Sequence, residues 1–385
     1  MILQDKKIAI VGGGPGGLTL ANLLAIKGAN VKVYERDVNK DVRVQGATLD
    51  LHEESGLEAL RRAGLLNAFY ANYRPDAGKL RILDKEGNIK MDNHTADDFG
   101  EHRPEIDRGP LRRILLDALP DEAIVWDSHF LWMEQQGEGW LLYFKNGTSA
   151  YADIVIAADG ANSKIRPNIN NIKPIYSGIT AVEGNLYNAA IHAPKLYDLV
   201  KGGKIFAFGD EQSLILSAKG DGSLSFYTGC KVPENWVTES GIDFTDKAQV
   251  FAWFKDAFGS WDSQWQELFA SDELWFVPRP MYHYPLDQYW GTLPNLTMLG
   301  DAAHRMPPYA GEGVNMAMQD AYELADCLTS DDFHSVKEAI ASYEKQMLKR
   351  ASAVTQMTLD STEMLHSEGA IEKMLRMFEG VREME

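Results

Sequence analysis

Ile8-Ala9-Ile10-Val11 is an unbroken apolar run rich in β-branched residues, the pattern of a strand covered on both faces. It stops at Gly12-Gly13-Gly14-Pro15-Gly16-Gly17, and Leu18, Leu20, Leu23 and Leu24 then recur on a helical face. Val31-Lys32-Val33-Tyr34 predicts a second strand, ending in Glu35. The same change from buried strand to turn recurs twice. Ile154-Val155-Ile156-Ala157 runs toward Asp159-Gly160, and Leu296-Thr297-Met298-Leu299 runs into Gly300-Asp301. A Pro307-Pro308 turn and a glycine-opened helix follow the last of these, with Met316, Met318, Ala321, Leu324 and Ala325 at helical spacing.

The middle of the chain has a different rhythm. Lys204–Phe208, Ser213–Leu216 and Ser223–Tyr227 are separated by glycine turns and predict an antiparallel sheet, which a hairpin over residues 80–88 joins. Phe251, Trp253, Phe254, Phe258, Trp261 and Trp265 lie in a helical region and read as core. From about Ser335 the pattern is helical and free of proline, punctuated by Met347, Met357, Met364, Met374 and Met377.

Charge narrows the partners. The chain has 385 residues, with 38 basic and 56 acidic side chains and a net charge of −18. That surplus repels phosphate backbones and anionic headgroups, so neither nucleic acid nor stable membrane association is expected. Two cysteines, Cys230 and Cys327, build no disulfide framework, and the first residues carry no cleavage pattern. A reduced, cytoplasmic protein is the expectation. Residues 8–26 are uncharged and long enough to span a bilayer, but five glycines and Pro15 mark them as strand, turn and helix instead.

Gly12, Gly14 and Gly17 form G-x-G-x-x-G between a predicted strand and a predicted helix. The first glycine permits the tight turn, the second lets backbone amides approach a pyrophosphate, and the third lets helix and strand pack closely. The helix amino terminus adds N–H groups and partial positive charge. Glu35, 21 residues after Gly14, is placed to accept hydrogen bonds from a ribose diol. This motif implies dinucleotide binding and leaves NAD and FAD undistinguished.

With Asp159-Gly160-x-x-Ser163-x-x-Arg166 and Gly300-Asp301 added, the chain resembles the single-component flavin monooxygenases of the para-hydroxybenzoate hydroxylase fold. The resemblance implies an α/β fold with a discontinuous Rossmann-like FAD-binding domain, a β-sheet substrate domain and a carboxy-terminal bridging helix. The expected division is 1–73, 104–169 and 286–328 for FAD, 74–103 and 170–285 for substrate, and 329–385 for the helical region. It implies that NADPH docks transiently and reduces FAD, and that O2 captured at flavin C4a as a hydroperoxide hydroxylates an electron-rich carbon. The flavin carries this chemistry, so no catalytic side chain is assigned, and His304 reads as a structural histidine.

Glu35-Arg36, Arg43-Val-Gln-Gly46-Ala-Thr-Leu-Asp50-Leu-His52, Pro104-Glu-Ile-Asp-Arg108 and Gly300-Asp-Ala-Ala-His-x-Met-Pro-Pro308-x-Ala-Gly311 are similar to the tetracycline-inactivating members of that family. The resemblance assigns cofactor contacts to Gly12, Gly14, Gly17, Glu35, Arg36, Arg43, Gly46, Asp50, Arg108, Asp159, Asp301, Pro308, Gly311, Gly313, Val314 and Asn315. On the substrate side it places Glu183, Lys204, Phe206, Leu216, Ser225, Tyr309 and Met364 at the bound molecule. Glu183 stands where the family has glutamine, Lys204 where it has arginine, Ser225 where it has histidine, and Leu216 where it has an aromatic ring. Glu312 replaces glutamine in the family's Gly-Gln-Gly, and its carboxylate is expected to point outward into solvent.

Three readings follow. The first is a monomeric monooxygenase that inactivates a tetracycline-type antibiotic. The second hydroxylates another aromatic or polyketide substrate, and the third is a flavoprotein that reduces or senses without oxygenating.

Overall fold

Lys7–Val11 forms the middle of a five-stranded sheet whose order is Leu296–Met298, Ile154–Ala157, Lys7–Val11, Asn30–Tyr34 and Ile124–Val125. The computed structural model describes residues 2–42, 46–94 and 103–382. Every pairing in this sheet is parallel, with Ile8 opposite Ile154 and Val31, and Val155 opposite Leu296. The helices Pro15–Ile26, Gly313–Thr329 and Val336–Leu365 pack on it, and the antiparallel strands Phe130–Gln136, Gly139–Phe144 and Ser149–Ala152 supply further apolar cover. Both faces are therefore dry, which is why these strands read as continuous apolar runs.

A second sheet of seven strands runs in the order Leu274–His283, Ile175–Leu186, Leu224–Lys231, Gln212–Ala218, Lys204–Gly209, Leu80–Asp84 and Ile89–Asp92. The hairpin from residue 80 joins through a parallel pairing of Leu80–Asp84 with Lys204–Gly209; the other pairings are antiparallel. One face carries Val182, Leu186, Leu214, Leu216 and Phe226, and packs on Phe254, Trp265 and Phe269. The aromatic cluster is core, as its composition predicts. The other face meets the carboxy-terminal helices through Phe206, Phe208, Met364 and Met374.

The molecule thus has a Rossmann-like parallel sheet, a separate sheet domain and carboxy-terminal helices. Among the described residues no helix is long and apolar enough to cross a membrane, and both cysteines are free and buried.

Trp265 is fully buried and its Nε1 donates to Lys85 O at 2.8 Å. Trp265→Ala is expected to cost about 3–5 kcal/mol, read as a lowered denaturation midpoint. Trp132→Ala is expected to cost about 1 kcal/mol or less, because Trp132 is 49% exposed and stacks on the Tyr143 ring.

Candidate functional site

Parallel register places three turns side by side at the carboxyl ends of adjacent strands: Gly12 after Lys7–Val11, Asp159 after Ile154–Ala157, and Gly300 after Leu296–Met298. Open α/β sheets bind ligands at this edge. Gly12 has φ of +115°, and a Cβ there would lie 2.1 Å from Ala158 O; one on Gly17 would lie 2.2 Å from Gly12 O. Neither position has room for a side chain. Helix Pro15–Ile26 begins at Gly14 with no side-chain cap, so its first N–H groups face the turn without an intrahelical acceptor. Those amides form the cradle that a pyrophosphate fits.

Glu35 is 3% exposed, and its carboxylate accepts from Gly13 N at 2.6 Å and Asp37 N at 2.9 Å. It is locked against the glycine turn with lone pairs to spare. Arg36 and Arg108 are exposed, and Arg108 lies against the backbone of Gly46. Arg43 lies outside the described residues. Asp50 sits on the short strand Leu49–Asp50 and meets His52 Nε2 at 3.1 Å and Arg103 at 3.8 Å. Burial opposes ionisation of Asp50, but the His52 hydrogen bond and the charges of Lys204, His52 and Arg103 outweigh it and lower its pKa. Asp159 has the opposite balance. Burial raises its pKa although its Oδ2 accepts from Lys164 N at 2.8 Å, and its buried Oδ1 has no partner.

The third turn leads to helix Gly313–Thr329, which also lacks a side-chain cap. Pro308 and Gly311 close the preceding loop by a backbone bond of 3.0 Å. The amides of Gly313, Val314 and Asn315 form the first turn, and such N–H groups have no intrahelical acceptor. Asn315 is fully buried, and its side chain bonds the protein: Oδ1 accepts from His52 N at 2.9 Å, and Nδ2 donates to Asp50 O at 2.9 Å. Only its backbone is left for a cofactor. Asp301 is exposed and accepts no hydrogen bond among the described residues. Two amide-lined helix ends, the unpartnered Asp159 oxygen and the free Asp301 carboxylate match the phosphates and hydroxyls of FAD.

Glu312 corrects the expectation of an outward, solvated carboxylate. Its side chain is 16% exposed and lies 3.6 Å from His52 Nδ1. Burial raises its pKa.

His304 is structural in its contacts. It is 1% exposed, and its Nε2 meets Asp320 at 2.6 Å. Burial opposes charge on His304, but the Asp320 carboxylate outweighs it and raises the pKa. Arg166 of the Asp-Gly segment faces inward too: it donates to Ala302 O and Ala303 O at 2.8 and 2.9 Å and lies over the Tyr284 ring. Burial lowers its pKa to about 10.

On the sheet face where the resemblance expects substrate, Phe206, Tyr309 and Met364 pack against one apolar cluster that contains Leu80, Ile82 and Phe208. Glu183 is 3% exposed, accepting from Tyr227 Oη at 3.0 Å and from Arg279 Nε at 2.7 Å. Burial, then Glu183, pushes the Tyr227 hydroxyl up to about 12, so it stays protonated and donates. Lys204 is paired with Glu105. Ser225 is 1% exposed with its Oγ unpartnered. Leu216 departs from its expected role. It pairs with Ile205 and Phe226 and is fully buried in the opposite core, because strand residues alternate faces. Ile215, opposite Phe206 and Tyr227, is the residue of that strand on their face of the sheet.

Sequence reasoning missed Arg279, His52 and His366. Arg279 stands between two prolines in Leu274–His283 and carries no motif; His52 was visible only as part of the quoted segment. His366 is fully buried beyond Val336–Leu365, meets Ser213 Oγ at 2.9 Å, and packs edge-on against Tyr309. Its Nδ1 contacts Thr362 O at 2.8 Å, an acceptor only, so Nδ1 carries the proton and Ser213 donates to Nε2. A cavity of about 540 Å³ opens beside it, lined by Ile179, Lys231, Leu359, Thr362 and Glu363.

Comparison with known proteins places this geometry. The model of a family described as "FAD binding domain" matches residues 5–358. Monooxygenase asqM from Emericella nidulans is 30% identical, over 92% of this chain and 94% of its own length. The 6-hydroxynicotinate 3-monooxygenase of Pseudomonas fluorescens is 28% identical, over 93% and 92%. The crystal structure of tetracycline destructase Tet(55) superposes with a TM-score of 0.77 at 19% identity, over 99% of this chain and 97% of that one.

Gly17→Ala is expected to yield protein without the 450-nm flavin band or with FAD affinity reduced at least about tenfold; unchanged flavin content after gel filtration contradicts the cradle. His366 gives a second test. Burial lowers its pKa from 6.5 to about 4. Between those values the unfolded chain binds the proton and the folded chain does not, so stability falls as pH drops from 6.5 toward 4. At about 1.4 kcal/mol per unit, the loss is at most about 3 kcal/mol. Urea midpoints at pH 7 and pH 5 are expected to differ less in His366→Leu than in the unsubstituted protein.

Proposed function

This chain belongs to the FAD binding domain family and has the para-hydroxybenzoate hydroxylase-like fold of flavin-dependent monooxygenases; from that premise we propose that it hydroxylates a planar, phenol-bearing polycyclic substrate of the tetracycline type, using NADPH and O2. The observation that carries this reading is an apolar group beside a polar one: Phe206, Tyr309 and Met364 pack against one cluster, Glu183, Tyr227 and Arg279 bond one another, and Tyr227 and Tyr309 pack on the same residues, Ile179, Ala181 and Met281.

When bound, FAD supplies the redox chemistry, accepting electrons from a nicotinamide and activating O2. The chain's own part is positioning. Gly12–Gly17, Glu35, Asp159 and Asp301 would hold the dinucleotide, and the free amides of Gly313 and Val314 would donate to the flavin edge that gains negative charge on reduction. Phe206, Ile215 and Tyr309 exclude water from a flat substrate. The cavity beside His366, of a size suited to a drug-like molecule, would serve as the entrance. Arg279 and the Tyr227 hydroxyl neutralise Glu183, so its charge does not repel an electron-rich ring. The Ser225 hydroxyl is left for a carbonyl or hydroxyl of the substrate.

The Glu183–Arg279 pair, standing where the resemblance has glutamine, favours a second reading: an aromatic substrate other than tetracycline, such as a smaller hydroxylated ring.

Mass analysis of tetracycline incubated with purified protein, NADPH and air tests both. A product heavier by one oxygen atom supports the first reading. An unchanged drug with substrate-stimulated NADPH oxidation on a smaller phenol supports the second, and flavin-bound protein that hydroxylates none of these defeats both. Glu183→Ala leaves Arg279 unpaired and is expected to lower kcat/KM about 10- to 100-fold while FAD stays bound, the loss of a charge-assisted contact.

A further inference from the structure

Glu312 occupies the position just before the first turn of helix Gly313–Thr329, where a carboxylate ordinarily gains by turning toward the helix N–H groups. It makes no such cap here. Its carboxylate points to His52 Nδ1 at 3.6 Å, while His52 Nε2 bonds Asp50 Oδ2 at 3.1 Å. The imidazole, 3% exposed, therefore sits between two carboxylates. Its place is set by the backbone, because His52 N donates to Asn315 Oδ1 at 2.9 Å and Asn315 Nδ2 returns a bond to Asp50 O at 2.9 Å. The segment that follows strand Leu49–Asp50 and the first turn of helix Gly313–Thr329 are thereby stapled together.

We propose that His52 is a positioning residue: it holds the Glu312 carboxylate off the amide-lined end of Gly313–Thr329, keeping those N–H groups free for the negatively charged edge of reduced FAD. The inference rests on the FAD reading above. A carboxylate folded over that helix end competes for the same amides and repels the negative charge that reduction adds to the flavin. The other charges facing the cluster are Arg103 and Lys204 near Asp50, and Glu54 near Glu312. Lys204 is engaged by Glu105; the exposed Arg103 lies 3.8 Å from Asp50 and its charge also acts on Glu312, while His52, at 3.6 Å, is the described group that contacts the Glu312 carboxylate.

The test is the midpoint potential of the bound flavin in His52→Leu, Glu312→Gln and the double variant, with FAD affinity measured alongside. His52→Leu is expected to weaken binding of the reduced cofactor relative to the oxidised one about tenfold, which is about 30 mV lower for a two-electron couple. Glu312→Gln is expected to leave the potential equal to or above that of the unsubstituted protein. The double variant is expected to match Glu312→Gln, because His52 acts through Glu312. A merely structural His52 lowers affinity for both redox states alike and leaves the potential unmoved, which overturns the proposal. A double variant as low as His52→Leu also overturns it. If His52→Leu does not fold, the double variant decides, through a potential matching Glu312→Gln or falling below it; if that too fails, sulfite affinity of the Glu312→Gln flavin decides. The sulfite adduct adds negative charge, and an outcome weaker than the unsubstituted protein is contrary to the proposal. Unsubstituted protein that binds no FAD defeats the cofactor reading, whereas flavin-bound protein with indifferent variants defeats only the role of His52.

Discussion

Asp320 is the point on which the cofactor side of the molecule depends. It is fully buried, and it accepts from Gly300 N at 2.8 Å, His304 Nε2 at 2.6 Å and Arg350 at 2.7 Å. A carboxylate without such partners in a dry interior is costly. Here burial opposes its charge, His304 and Arg350 more than compensate, and its pKa is lowered. One side chain therefore joins the turn after Leu296–Met298, the helix Gly313–Thr329 and the long helix Val336–Leu365. Arg350 extends the connection through two 2.6 Å bonds to Glu323. Asp301 is free for a ligand because its neighbours are held by this hub.

The same separation of structural and available groups runs through the site. Arg166, His304 and the Asn315 side chain are committed to the protein. The uncapped helix ends, Asp301 and one oxygen of Asp159 are not. Across the groove, Glu183 is answered by Arg279 and Tyr227, so the polar wall presents donors and a balanced ion pair rather than an isolated charge.

Two expectations failed for instructive reasons. Leu216 was assigned to the pocket by resemblance across a segment of uneven length, and a slip of one residue in a strand reverses the face; Ile215 faces the site instead. Glu312 was expected in solvent because an isolated glutamate gains most there. His52, 260 residues away in the chain, supplies a closer partner.

The local signals determined a great deal: apolar runs ending in Gly12, Asp159 and Gly300 name three strand ends, and the glycine spacing marks a dinucleotide turn, because the backbone constraints of tight turns and buried strands act over a few residues. Phe206, Tyr309 and Met364 were named through resemblance, and the fold packs all three against one apolar cluster. Which charges meet was not. Glu183 with Arg279, His52 with Glu312 and Asp320 with Arg350 pair across strands and helices far apart in sequence. Only the packed fold decides these pairs, since a charge's partner depends on distance in space and on the water excluded around it.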